Sequence, residues 1–143
     1  MSPTPILAPM FALAALTFFV LAAIPFVRFR AAFAGKVIAS DFKLGESARV
    51  PAEVSQPNRN YMNLLEVPVL FYVVCLIAYL SRSVDETLLV FAWLYVCLRV
   101  VHSAIHITYN NVFHRLVVFA ASVLVLLALW VRLFIHLFLP TGS

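Results

Sequence analysis

Four apolar runs dictate what this chain can become. Ile6 to Val27, Asn58 to Leu80, the stretch from about Val84 to Tyr109 and Val112 to Leu139 each approach or exceed the ~20 residues that an α-helix needs to cross a bilayer. Only 11% of the 143 residues are charged and 64% are hydrophobic. A soluble domain averages roughly a quarter charged residues, so the composition implies an integral membrane protein. The expected fold is all-α: one four-helix transmembrane bundle over residues 1–143, with helices at about 5–33, 57–80, 84–109 and 111–139.

Charge placement predicts the orientation. Six of the ten basic residues (Arg28, Arg30, Lys36, Lys43, Arg49 and Arg59) fall between the first two runs, so the 34–56 connection is expected to be cytoplasmic, with both termini on the other side. No Lys or Arg precedes the first run, which reads as a retained span rather than a signal peptide. The connection is long for a helical bundle, which suits either a lid or a plain linker. Pro57 suits a helix start, Ser83-Val84-Asp85-Glu86 reads as a capping box, Asn110-Asn111 as a second cap, and Pro140 as a stop.

Several function classes fall away. The chain has three glycines, Gly35, Gly45 and Gly142, too few for a phosphate-cradling loop. Its net charge of +4 follows from loop placement, not from nucleic-acid binding. Cys75 and Cys97 stand alone in apolar runs and read as packing residues. His102 and His106 lie at i, i+4, but no H-E-x-x-H pattern or further ligand accompanies them, so no metal site is expected.

Polar residues at membrane depth carry the functional signal. Arg59, Asn63 and Glu66 lie at i, i+4 and i+7 on the second helix, while Arg99, His102, Ser103, His106 and Asn110 share one face of the third. At about 1.5 Å per residue Glu66 and Arg99 reach similar depths, which makes them expected partners. Such a pair can equally well lock two helices in register. Arg115 stands one turn into the fourth helix, where the dipole is already positive, and an anion there would resolve the mismatch. A snorkelling, topogenic arginine is the plainer reading.

Arg59-x3-Asn63-x2-Glu66 followed by Pro68, then Arg99-Val100-Val101-His102-Ser103, and Arg115 sixteen residues after Arg99, resemble the MAPEG family, the membrane-associated proteins in eicosanoid and glutathione metabolism. The likeness spans nearly the whole chain. It implies a homotrimer that holds glutathione between subunits near the cytoplasmic face. Arg59, Asn63, Glu66, Arg99, His102, Ser103 and His106 would contact glutathione, and Arg115 would be the catalytic activator of its thiolate. Pro68, His106 and Leu116 depart from the family pattern. The expected function is glutathione-dependent transfer to, or reduction of, a lipophilic electrophile that arrives through the bilayer. A small-molecule or proton-linked carrier and a non-catalytic scaffold remain the alternatives.

Overall fold

The computed structural model describes residues 2–139, so Pro140 lies outside the described residues. After a 3-10 turn at Thr4–Ile6 come α1 (Leu7–Phe33), a second 3-10 turn (Ala39–Phe42), α2 (Ala52–Leu65), α3 (Pro68–Leu80), α4 (Glu86–Ile107) and α5 (Val112–Phe138). Thr4–Phe33, Ala52–Leu80, Glu86–Ile107 and Val112–Phe138 are long and apolar enough to cross a membrane. α4 is central: it packs most extensively on α5 and also meets α1 and α2. One face of α4, through Leu88, Ala92, Tyr95 and Val96, joins the core that includes Leu13, Phe71, Val74 and Leu129. Phe71 stacks on Tyr95 at 4.7 Å between ring centres.

The second span differs from the continuous 57–80 helix expected. It starts at Ala52, because Pro51 ends the extended strap and its carbonyl accepts from Val54 N at 3.0 Å and Ser55 N at 3.2 Å. Pro57 is therefore inside α2; the bond its missing N–H would make is to Glu53, an exposed first-turn residue. The span then breaks at Glu66–Val67. Pro68 has no N–H for the carbonyl of Leu64, and its ring would crowd that carbonyl in an unbroken helix. It opens α3 instead, at a position where a proline costs nothing.

The 34–56 connection is shorter than expected and fastened. Arg28 Nη2 donates to Glu46 at 3.0 Å and its guanidinium lies 4.4 Å from the Phe42 ring centre, while Lys36 pairs with Glu53 at 3.3 Å. Buried Asp41 accepts from Ile38 N at 3.0 Å and Ser47 Oγ at 2.8 Å. The Ile38 N–H above all, and the Ser47 hydroxyl after it, hold the Asp41 carboxyl below its ordinary range. These contacts make a strap that closes on α1 and α2.

Helix ends follow local rules. α1 and α3 finish in the two-bond pattern of a Schellman motif: Lys36 N to Ala31 O and Gly35 N to Ala32 O, then Ser83 N to Ala78 O and Arg82 N to Tyr79 O. Gly35 takes its positive φ freely, whereas Arg82 takes φ 55° at some strain. The cap of α4 is Asp85, not Ser83: its Oδ1 accepts from Leu88 N at 2.7 Å, and its Oδ2 pairs with Arg132 of α5. Arg132 thus ties α5 to the start of α4. Asn111 caps α5 as expected, accepting from His114 N at 3.0 Å.

Asp85 lets the two contributions be separated. Losing the cap costs about 1 kcal/mol, whereas the ion pair, with its side chains 35% and 29% exposed, contributes less than about 1 kcal/mol. Asp85→Ala is therefore expected to lower the thermal midpoint in detergent more than Arg132→Met. Equal losses would mean that the pair, not the cap, carries the effect.

Candidate functional site

Three helices bring polar side chains to one level of the bundle. From α2 come Asn60 and Asn63; from α4, Arg99, His102, Ser103 and His106; from α5, Arg115, with Asn110 in the turn before it. Arg99 is 0% exposed. Its Nη2 donates to the Asn63 backbone oxygen at 3.2 Å and to Asn63 Oδ1. Its Nε and Nη1 are buried without a partner, and the guanidinium carbon lies 5.7 Å from the Phe119 ring centre.

The expected Glu66–Arg99 pair does not form. Glu66 is exposed at the helix break, with no ion pair to it among the described residues. Two causes are visible. On a helix that turns about 100° per residue, the buried side of α2 is set by Val54, Pro57, Asn60 and Leu64, so the 59/63/66 stripe is turned roughly 150° from the middle of that face. Asn63 lies at the boundary, while Arg59 and Glu66 face outward. The break at Glu66 also leaves the last carbonyls of α2 without helical donors, and Arg99 donates to one of them.

A turn nearer the strap, Ser103 Oγ donates to Asn60 Oδ1 at 3.2 Å, joining the buried faces of α2 and α4. His102 stands beside His106 and Phe119, with ring centres 6.0 and 5.8 Å away. Arg115 Nη1 donates to Asn110 Oδ1 at 2.7 Å and to His106 Nε2 at 3.4 Å. The arginine is not the unengaged cation at a positive helix end that its sequence position suggests.

Two cavities meet at Arg115. One, of about 200 Å³, is polar and includes Ser55, Gln56, Arg59, His106 and Asn110 in its wall. The other, of about 210 Å³, is lined by Asn63, His102, Val112, Leu116 and Phe119. Six of the residues singled out in the sequence, Arg59, Asn63, Arg99, His102, His106 and Arg115, therefore cluster at or behind these walls. Ser103 braces them through Asn60, and Glu66 stands apart on the outer flank of α2. A larger apolar groove of about 490 Å³ between α1 and the strap shares no residue with this cluster. Asn60 and Phe119 were missed: Asn60 lies i−3 from Asn63, a legible spacing, but Phe119 looks like any other phenylalanine of its run. Of the two cysteines, Cys75 is buried as expected and Cys97 is exposed.

Double-variant cycles test this arrangement. Asn63→Ala and Arg99→Met are expected to be non-additive in thermal unfolding by about 1 kcal/mol or more, since the first removes the side-chain acceptor of Arg99 and the second removes its donor. Glu66→Gln with Arg99→Met is expected to add within about 0.5 kcal/mol. Coupling in the second pair and none in the first would reverse the assignment.

The model of the MAPEG family matches residues 6–135 of the chain. No curated protein and no solved structure was found to match it. With that match over nearly the whole chain, and with four helices able to span a membrane, the chain is an integral membrane protein and belongs to the MAPEG family.

Proposed function

We propose that the protein is a glutathione-dependent transferase or peroxidase that acts on a lipophilic electrophile, working as a homotrimer with its strap in the cytoplasm. The observation that carries this reading is the convergence of Arg59 and Arg115 on one cavity, with His106 and Asn110 in its wall and no carboxylate lining it. Guanidinium groups in such a setting call for an anionic ligand, and a carboxylate-bearing tripeptide thiol supplies one. Volume supports the trimer. At about 200 and 210 Å³, each cavity falls below the roughly 300–1,000 Å³ usual for a ligand site. A tripeptide would therefore use both, or a wall supplied by a neighbouring copy. The outward flank of α2, with Arg59 and Glu66, is the natural place for that neighbour, and Glu66 would there accept from the peptide's amine.

Arg115 stands at the fourth position of α5, beside the N–H groups of its first turn. Guanidinium and helix dipole both favour a thiolate over a thiol, whose free pKa is about 8.5. The thiol proton leaves to solvent. The sulfur's electron pair then forms a bond to the electrophilic atom as the bond to the leaving group breaks and that group departs with its electrons. Val112, Leu116 and Phe119 give the second cavity an apolar wall, which suits a substrate that arrives dissolved in the bilayer.

Arg115→Ala is expected to abolish the ultraviolet signal of bound thiolate while glutathione still binds through Arg59, Asn63 and Glu66. A titration against pH beside a binding isotherm measures both. An unchanged titration removes Arg115 from the mechanism, and no saturable binding by the wild type leaves the carrier or scaffold reading. Orientation is tested separately, with Ser47→Cys and Ser143→Cys on a Cys97→Ala background. In intact cells an impermeant reagent is expected to label position 143 and spare position 47; the opposite pattern inverts the topology.

A further inference from the structure

We infer that Asn110 and His106 are positioning residues that hold the Arg115 guanidinium at the junction of the two cavities with its anion-gripping edge open. The inference rests on the reading of Arg115 as the group that stabilises a thiolate. A guanidinium has five N–H donors. Here both acceptors lie on the same nitrogen: Nη1 donates to Asn110 Oδ1 at 2.7 Å and to His106 Nε2 at 3.4 Å. That leaves the Nε–H and Nη2–H edge, the fork that can grip an anion with two parallel bonds, uncommitted.

The two holders are built differently. Accepting at Nε2 requires His106 to carry its ring proton on Nδ1, an atom that is buried without a partner, so the tautomer is set by the arginine itself. Asn110 sits at φ 47°, and its N–H bonds Ile105 O at 2.8 Å, which closes the end of α4. Asparagine is among the few residues that adopt this backbone readily. Its neighbour Asn111 caps α5, so the paired asparagines divide two tasks: Asn111 starts the helix, and Asn110 fastens the arginine one turn above it. Because Arg115 lines both cavities, a guanidinium that swung to either side would leave the other without a cation.

A turn residue and a positioning residue can be told apart, because glycine keeps the backbone and removes the amide. Asn110→Gly, Asn110→Asp, His106→Phe and His106→Gln are compared with the wild type in detergent, with thermal unfolding as the control for folding. Phenylglyoxal labelling of Arg115, read by peptide mass spectrometry against exposed Arg30 and without any thiol present, reports how firmly the guanidinium is held. Labelling is expected to be several-fold faster in Asn110→Gly and His106→Phe. It should return to the wild-type rate in Asn110→Asp and His106→Gln, whose side-chain oxygens still accept. The bound-thiolate titration midpoint is expected to rise in Asn110→Gly and His106→Phe and to recover in His106→Gln, whereas the carboxylate of Asn110→Asp repels a thiolate and keeps the midpoint raised. Wild-type labelling rates in both Asn110→Gly and His106→Phe overturn the inference, as does faster labelling with an unmoved thiolate midpoint. Faster labelling in a protein whose wild type gives no thiolate signal leaves the clamp standing and removes the transferase reading instead.

Discussion

A guanidinium with none of its surface exposed, set among apolar helices, is the constraint to which the rest of the polar site answers. Removing such a charge from water costs several kcal/mol, and no carboxylate reaches Arg99 among the described residues. What meets it is a helix end. Pro68 stops α2, the stopped helix leaves the Asn63 carbonyl free, and Arg99 Nη2 donates to it. The last turn of a helix carries the negative end of its dipole, roughly half a charge. Asn63 Oδ1 and the face of Phe119 add to that. One proline thereby decides both the break in the second span and the seat of the arginine.

Register follows from that seat. With Arg99 fastened to the end of α2, the next turn of α4 brings Ser103 to Asn60, and the next brings His106 to Arg115. Eight residues of α4, Arg99 to His106, about 10 Å of rise, thus carry three polar contacts on an otherwise apolar helix. Each joins a different pair of side chains, so sliding α4 by one turn would break all three at once. Apolar packing alone is more forgiving, because leucines and valines of similar volume can exchange neighbours at low cost.

Most of the fold and part of the site were legible in the sequence, for reasons that particular residues make plain. The spans follow from hydropathy, the stripe on α4 from spacings of three and four, and the cap at Asn111 from its residue type. Pairing across helices was not legible. Depth alone matched Glu66 to Arg99, but depth says nothing about rotation, and the rotation of α2 is set by Val54, Pro57, Asn60 and Leu64 together. Nor does a hydropathy profile register that Pro68 stops a helix rather than bending it. Asp85, itself a good N-cap residue, caps α4 in place of Ser83, and its pairing with Arg132, forty-seven residues away, is a contact that no local pattern encodes.

The distribution of acids explains why an anion is what the site lacks. Glu46 is engaged by Arg28, Glu53 by Lys36, Asp85 by Arg132, and Asp41 by Ile38 N and Ser47. Those carboxylates are engaged in the strap and in the turn before α4, away from the two cavities. Among the described residues Arg59 and Arg115 have no carboxylate within salt-bridge distance, and the helices around half-buried Arg115 make its attraction to an incoming anion stronger than in water. Glu66 and Glu86 are the two acids without such a partner among the described residues, and Glu66 is the one exposed on the same flank as Arg59. A ligand that engaged that flank would meet one cation and one anion, Arg59 and Glu66, within two turns of a helix. A simple anion would leave Glu66 unmatched.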